Sequence, residues 1–143
     1  MKGIEYKVRN NLHIYIAIDL SCNQFQGKIP KVTGEHRWIA LLNLSHNSLT
    51  GHIPSLLRNM KELQYLDLSS NQLTGAIPPQ LTTLIFLEVL NLSGNQYRGE
   101  IPQKGQFNTF NNNSYLENSA LCGLPLTKKC ANTASPPTRS QKW

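Results

Sequence analysis

The chain has 143 residues, the size of one folded domain, of which 39% are hydrophobic and 15% charged. No apolar run approaches the roughly 18 residues of a membrane-spanning helix, and Glu5 and polar residues stand where a secretory signal needs an apolar core, so we expect neither an anchor nor a signal. The formal charge is +6, but residues 13–110 hold seven basic and six acidic side chains, so the excess lies at the two ends. This distribution disfavours a nucleic-acid-binding protein, in which the basic residues would form one folded stripe.

Residues 1–12 precede the regular part of the chain as an N-terminal segment. Four of its residues, Ile4, Tyr6, Val8 and Leu12, are expected to cover part of the first structural unit that follows. Since they can cover it only in part, we predict a marginally stable fold or self-association through this end.

Residues 13–110 contain four copies of one pattern at a constant spacing of 24 residues. The copies read IDLSCNQFQGKIP (18–30), LNLSHNSLTGHIP (42–54), LDLSSNQLTGAIP (66–78) and LNLSGNQYRGEIP (90–102). A period in the twenties with leucine at fixed positions and a regular asparagine is the signature of a leucine-rich-repeat solenoid, an α/β-type fold of stacked coils. One coil cannot bury its own apolar face, so the repetition itself is what makes a core.

Each coil is expected to begin with a short strand. Leu66 and Leu68 are two residues apart and share the inner face, while Asp67 faces outward. Asn71 follows the strand, where its amide can satisfy backbone groups at the turn. With its equivalents it would form a ladder from coil to coil: Asn23, Asn47, Asn71 and Asn95.

The second half of each coil is expected to return along the convex side. Gly51 and its equivalents suit a backbone corner, and the Ile-Pro pair after it ends strand pairing. Leu57, Met60 and Leu63 then follow at three-residue spacing, which favours a 3₁₀ or loose helical segment.

The first coil is the least regular of the four. It has Thr33 and His36 where the third coil has Leu81 and Leu84. We therefore interpret His36 as an exposed loop residue without a ligand role.

Residues 111–131 are predicted to form a C-terminal cap, and residues 132–143 a disordered polar tail. The aromatic and leucine residues expected to close the last coil are Phe107, Phe110, Tyr115 and Leu121.

Cys122 and Cys130 are well spaced for a disulfide, worth roughly 2–3 kcal/mol and typical of an oxidising compartment. A zinc site is disfavoured because no further Cys or His cluster accompanies them. Cys22 is expected to be a free thiol.

Three Asn-x-Ser sequences are candidate glycosylation sites, at Asn43, Asn91 and Asn112. The first two lie in the strands, where they also alternate with Asp19 and Asp67 as a solvated column. Both explanations are compatible.

One outward-facing column is apolar and reads Ala17, Leu41, Tyr65 and Val89. An exposed apolar strip with polar margins suits protein recognition, with Tyr65 as its anchor, although such side chains can also lie flat against neighbouring leucines. The predicted partner-binding residues are Leu41, His46, Gln64, Tyr65, Asp67, Glu88 and Val89.

The sequence does not favour an enzyme. Asp19 and Asp67 would be roughly 10 Å apart, near the separation of an inverting glycosidase pair, but they lie on an open face without a pocket. No catalytic triad, phosphate loop or metal cluster is visible, and we expect neither a cofactor nor a metal.

The pattern LxLSxNxLxGxIP at this period resembles the plant extracellular leucine-rich-repeat proteins. The stretches GQFNTFNNNSY, LCGLPL and KKC are similar to the C-terminal cap of plant receptor-like proteins, and MKGIEY resembles the end of the island region of those ectodomains. The resemblance implies a right-handed superhelix with a concave parallel β-sheet, on the extracellular side of the plasma membrane. It also implies perception of a peptide or pathogen-derived ligand together with a co-receptor kinase, in defence or peptide signalling. The alternative is a secreted inhibitor of cell-wall-degrading enzymes, whose cap has a different cysteine spacing.

Overall fold

The computed structural model describes the backbone of residues 4–8 and the whole of residues 14–30 and 36–131. Two sheets and four 3₁₀ segments make up the regular structure of this part of the chain, and no helix in it has the length and apolar character needed to cross a membrane. The first sheet contains β1 (Ile4–Val8), β2 (Ile14–Asp19), β4 (Ile39–Asn43), β6 (Tyr65–Asp67) and β8 (Val89–Asn91). The second contains β3 (Gln26–Lys28), β5 (Ser48–Gly51), β7 (Gln72–Gly75), β9 (Gln96–Glu100) and β10 (Ala120–Cys122). The 3₁₀ segments are Ser55–Asn59, Pro79–Thr83, Gly105–Thr109 and Asn112–Ser114.

The first sheet is the predicted concave parallel sheet. Its order is β1-β2-β4-β6-β8, and the strands from β2 onward are parallel. Leu42 lies opposite Leu66, and Leu66 opposite Leu90, so the 24-residue period of the sequence becomes the register of the sheet. Strand β1 runs antiparallel to β2 and ends the sheet on its N-terminal side.

The second sheet was not predicted, since only turns and loops were expected after the asparagine. Its strands are parallel and follow the order β10-β9-β7-β5-β3. They have three to five residues and include glycines in the left-handed region, such as Gly51 (φ 82°) and Gly75 (φ 83°). Glycine adopts this conformation without strain, but it is depleted in ordinary strands. A sequence segment that contains it is therefore predicted to be a turn.

The core consists of leucine columns that run from coil to coil, as predicted. Leu63, Leu66, Leu68 and Leu73 are completely buried. The return segment contributes as well, because Leu57 in the middle of the first 3₁₀ segment and Met60 directly after it are also fully buried. Burying each such side chain is worth about 1.5–3 kcal/mol, and every one of them is covered by the coil before or after it.

The asparagine ladder is present and extends beyond the four predicted residues. The Nδ2 of Asn71 donates to the carbonyls of Leu44 and Leu68, at 3.0 and 3.1 Å, and its Oδ1 accepts from the backbone N–H of Leu49 at 2.9 Å. Asn47 and Asn95 make the equivalent bonds, so from the second coil onward each amide joins its own coil to the preceding one. Asn118, in the cap, repeats the arrangement by accepting from the N–H of Tyr97.

The cap closes the C-terminal end of both sheets. Phe107, Tyr115 and Leu121 are buried, and Phe110 is partly buried with its ring 5.7 Å from that of Phe107. The cap backbone accepts bonds from the residues that follow the edge strand β8: Leu92 N–H donates to Ser114 and Gly94 N–H to Leu116, at 2.7 and 2.9 Å.

The first coil is the least buried, as its sequence indicated. Ile16, Ile18 and Leu20 are only partly buried, and His36 is exposed. Thr33 and Leu12, the side chains of Ile4, Tyr6 and Val8, and the predicted disordered tail at 132–143 lie outside the residues that the structure describes.

Candidate protein-recognition surface

The predicted apolar column forms a continuous row on the outer face of the first sheet. Ala17 lies opposite Leu41, Leu41 opposite Tyr65, and Tyr65 opposite Val89. At the usual spacing of parallel strands the row is roughly 14 Å long. Ala17, Leu41 and Tyr65 are half-buried, whereas Val89 is 44% exposed, so the row becomes more accessible toward the C-terminal end.

A second set of large apolar side chains stands at the edge where the chain enters these strands. Trp38, Ile85 and Phe86 are 37%, 67% and 48% exposed. The Trp38 ring makes an edge-to-face contact with Tyr15, at 6.0 Å between centroids, and the guanidinium of Arg37 lies 4.9 Å from its centroid. Sequence reasoning missed this set, although Trp38 and Phe86 stand two periods apart in equivalent positions.

A shallow depression lies along the row, and one of its walls is Tyr15, whose ring contacts Trp38. It lies across β2, β4 and β6, and three of the predicted binding residues, Leu41, Gln64 and Tyr65, line it. The remaining walls come from Ile16, Ala17 and Ala40. An aromatic and aliphatic floor with one amide is chemistry that suits an apolar side chain of a protein or peptide.

The structure groups most of the predicted residues and separates one of them. Glu88 is exposed beside Val89, and the N–H groups of both donate to the carbonyl of Gln64, at 2.8 and 3.1 Å. His46 instead lies on the turn after β4, at the C-terminal ends of the strands. Its N–H donates to the carbonyl of Ser69 at 3.0 Å. His46 is exposed but does not belong to the row.

Asp67 lies on the outer face of the sheet with Tyr65, as predicted, but it is less accessible than expected. Its side chain is 9% exposed, and Oδ1 accepts bonds from the N–H and hydroxyl of Ser69, at 2.9 and 2.6 Å. Asp19 binds Ser21 in the same way. The Asp-Leu-Ser sequence is therefore a turn motif of the first and third coils, and both carboxylates that suggested a glycosidase pair have a structural role.

The same bond gives a structural reason for two of the three glycosylation sequences. The Oδ1 of Asn43 accepts from the N–H of Ser45 at 3.0 Å, and that of Asn91 accepts from the N–H and hydroxyl of Ser93. Asn112 lies in the cap and is exposed.

The cysteines divide into a bonded pair and a free thiol. Cys122 and Cys130 form a disulfide with 4.8 Å between their Cα atoms, while Cys22 is free and exposed. Cys22 has a φ of 59° and stands in the left-handed position that His46 and Ser70 also occupy in their coils. Among the described residues there is no group of three or more His, Cys, Asp or Glu that could hold a metal ion.

Two phenols are buried in the core near the cap. The hydroxyls of Tyr97 and Tyr115 have no hydrogen-bond partner, and burial raises the pKa of both well above the usual value for tyrosine. These groups pack the interior and do not face the surface row.

Comparison with known proteins agrees with this architecture. The family model described as leucine rich repeat matches residues 37–97. The structure also superposes on a chain of the BIR3–SERK2 complex from Arabidopsis thaliana, with a TM-score of 0.74 and 31% identity over 91% of this chain and 81% of that one. The chain belongs to the leucine-rich-repeat family.

The solved structures that it resembles include plant receptor ectodomains. The BIR2 ectodomain from Arabidopsis thaliana gives a TM-score of 0.73 at 34% identity over 78% of this chain. The Arabidopsis receptor kinase HAESA, solved with the peptide hormone IDA and the co-receptor SERK1, gives 0.65 at 39% identity over 76% of this chain. Receptor-like protein 14 of Arabidopsis thaliana is 64% identical over 28 residues.

The leucine-rich-repeat chain corresponds to only part of most of these relatives. It spans 59% of the BIR2 ectodomain and 18% of the HAESA chain, and the match to Receptor-like protein 14 covers 3% of that protein.

Proposed function

We propose that this chain is a protein-recognition module of a plant cell-surface receptor-like protein. Its concave face binds a peptide, a pathogen-derived protein or a co-receptor kinase in immune or peptide-signal perception. The observation that supports this most strongly is the apolar row of Leu41, Tyr65 and Val89, which adjoins a depression and an exposed aromatic edge. Apolar side chains arranged in this way on a rigid sheet resemble the central anchors of protein interfaces.

The relatives support the class of partner. One similar structure is a complex with SERK2, and the HAESA structure contains both a peptide hormone and the co-receptor SERK1. By analogy, the partner of this chain is a protein or peptide at the cell surface. The disulfide in the cap and the three candidate glycosylation sequences are in keeping with an extracellular location.

Binding of the purified chain to co-receptor ectodomains of the SERK type tests the proposal. We expect Tyr65→Ala to weaken binding by roughly tenfold or more, the loss typical of an anchor residue. Leu56→Ala is the matched control, because Leu56 is also partly exposed, at 36%, but lies in the 3₁₀ segment away from the first sheet. If both variants bind as strongly as the unchanged chain, the concave row is not part of the interface. Binding to pectin-degrading enzymes instead would favour the inhibitor function.

A further inference from the structure

We propose that two copies of this chain associate through β1, whose outer edge adds antiparallel to the β1 edge of the second copy. The two first sheets then continue into each other across a two-fold axis at Tyr6. The partner is thus a second copy of the same chain, bound by strand addition at the end opposite the cap.

The topology leaves this edge available. Strand β1 is the last strand of the first sheet and, within the described residues, pairs only with β2. At the other end, the edge strand β8 is followed by residues that donate to the cap, through Leu92 and Gly94. An edge strand presents a row of backbone donors and acceptors, and pairing with another chain satisfies them.

The sequence of β1 is complementary to itself in one register. The strand reads Ile-Glu-Tyr-Lys-Val, with Glu5 and Lys7 placed symmetrically about Tyr6. An antiparallel pair centred on Tyr6 puts Glu5 of each copy opposite Lys7 of the other, and Ile4 opposite Val8. Opposite charges in directly paired positions stabilise a sheet, and like charges there destabilise it.

Other registers lack this complementarity. Centring the pair on Glu5 or on Lys7 places two identical charges opposite each other, and a parallel pair does the same at both positions. In the Tyr6 register all five residues of β1 are paired, with about four to six interchain hydrogen bonds depending on which residues face outward. A lysine on an edge strand commonly prevents such pairing, but here the symmetric glutamate gives it a partner.

Sedimentation equilibrium of the full chain from about 1 µM to about 1 mM tests the proposal, since an interface this small gives a weak dimer. We expect a reversible dimer whose dissociation constant rises roughly tenfold or more in Lys7→Glu and in Glu5→Lys, which each place like charges opposite. Lys104→Glu, at an exposed residue before the third 3₁₀ segment, is the charge-matched control and should dimerise as the unchanged chain does.

Two further samples distinguish the register from a general effect of charge or of misfolding. The double variant Glu5→Lys/Lys7→Glu restores both pairs and should dimerise again. An equimolar mixture of the two single variants should form a heterodimer, because one carries two lysines and the other two glutamates. A chain that stays monomeric throughout the concentration range, or a dimer that none of these changes affects, would overturn the proposal.

Discussion

The imidazole of His52 lies directly over Gly75 of the following coil. A Cβ at Gly75 would be 2.7 Å from Cδ2 of His52 and 2.9 Å from Nε2. The side chain of Lys28 covers Gly51 in the same way, at 2.9 Å from a Cβ placed there. At Gly99 nothing lies within 4 Å, because the residue in the covering position is Ala76. A long side chain after one glycine thus covers the glycine of the next coil, and alanine in that position leaves it open.

This relationship predicts different costs for the same substitution at two glycines. Gly75→Ala should lower the free energy of unfolding by about 2 kcal/mol or more, since it adds a clash with His52 to the cost of a left-handed alanine. Gly99→Ala has the left-handed cost alone, about 1 kcal/mol, because its φ is also positive, at 88°. Urea denaturation of both variants measures the difference. If the double variant His52→Ala/Gly75→Ala is no more stable than Gly75→Ala, the contact is not the cause.

The asparagine ladder predicts a large loss when one of its buried members is removed. Asn71→Ala leaves the N–H of Leu49 without its acceptor in a buried site and removes one of the two amide bonds to the carbonyl of Leu44, which keeps the bond from Asn47. The loss should be about 2–3 kcal/mol. Asn23→Ala should cost markedly less, because Asn23 is only partly buried and its amide donates within its own coil. Denaturant midpoints at equal slope provide the test, and similar losses at both positions would argue against the ladder.

The two buried phenols predict a gain when a hydroxyl is removed. Tyr97→Phe and Tyr115→Phe each delete a buried hydroxyl without a partner, so the free energy of unfolding should stay equal or rise by about 1 kcal/mol. Thermal unfolding of the two variants measures this. A loss larger than 1 kcal/mol in either would show that its hydroxyl has a partner after all.

The raised pKa of these phenols also predicts a loss of stability in alkali. Below the unfolded tyrosine pKa, about 10, both groups are protonated whether the chain is folded or not. Above it the unfolded chain releases protons that the folded chain retains, so unfolding becomes more favourable as the pH rises. The free energy of unfolding should fall less steeply with pH in Tyr97→Phe than in the unchanged chain. Equal slopes in the two proteins would contradict this prediction.

The disulfide predicts that reducing agents destabilise the cap. The closed loop is short, so Cys122→Ser/Cys130→Ser should lower the free energy of unfolding by about 2–3 kcal/mol. A reducing agent should lower the melting temperature of the unchanged chain to that of this variant and should not affect the variant itself. Cys22→Ser is the control, since Cys22 is free and exposed and its removal should leave stability nearly unchanged.

Sequence reasoning predicted the features that depend on the period. The leucine columns, the asparagine ladder and the parallel register all follow from residues 24 apart, because stacking converts sequence period into spatial alignment. It also placed Leu57, Met60 and Leu63 in the return segment correctly.

Sequence reasoning did not predict features that depend on local contacts, which the 24-residue period does not reveal. Asp67 was expected to be a solvated carboxylate, but it is nearly buried and bonds to Ser69 two residues later, while its contact with a partner stays a prediction. The second sheet escaped notice because its strands contain left-handed glycines. Trp38 and Phe86 were overlooked because the equivalent residue of the coil between them is Glu62, which interrupts the apolar pattern in the sequence.

The most direct test of the recognition surface uses a sugar as a steric block. Asp67→Asn converts Asp67-Leu68-Ser69 into a glycosylation sequence at the centre of the first sheet and keeps an oxygen that can accept from Ser69. The variant is made in an Asn43→Asp/Asn91→Asp background, because these two candidate glycosylation sites lie directly beside Asp67 in the neighbouring strands, and an aspartate there still accepts from the following serine. It is secreted from a plant host, its glycan occupancy is verified by mass spectrometry, and binding to the co-receptor ectodomain is measured. The matched control, Asp67→Asn/Ser69→Ala, carries no sequence for the sugar. Loss of binding in the glycosylated variant alone is the result we predict; full binding with the glycan attached would contradict recognition through the concave face.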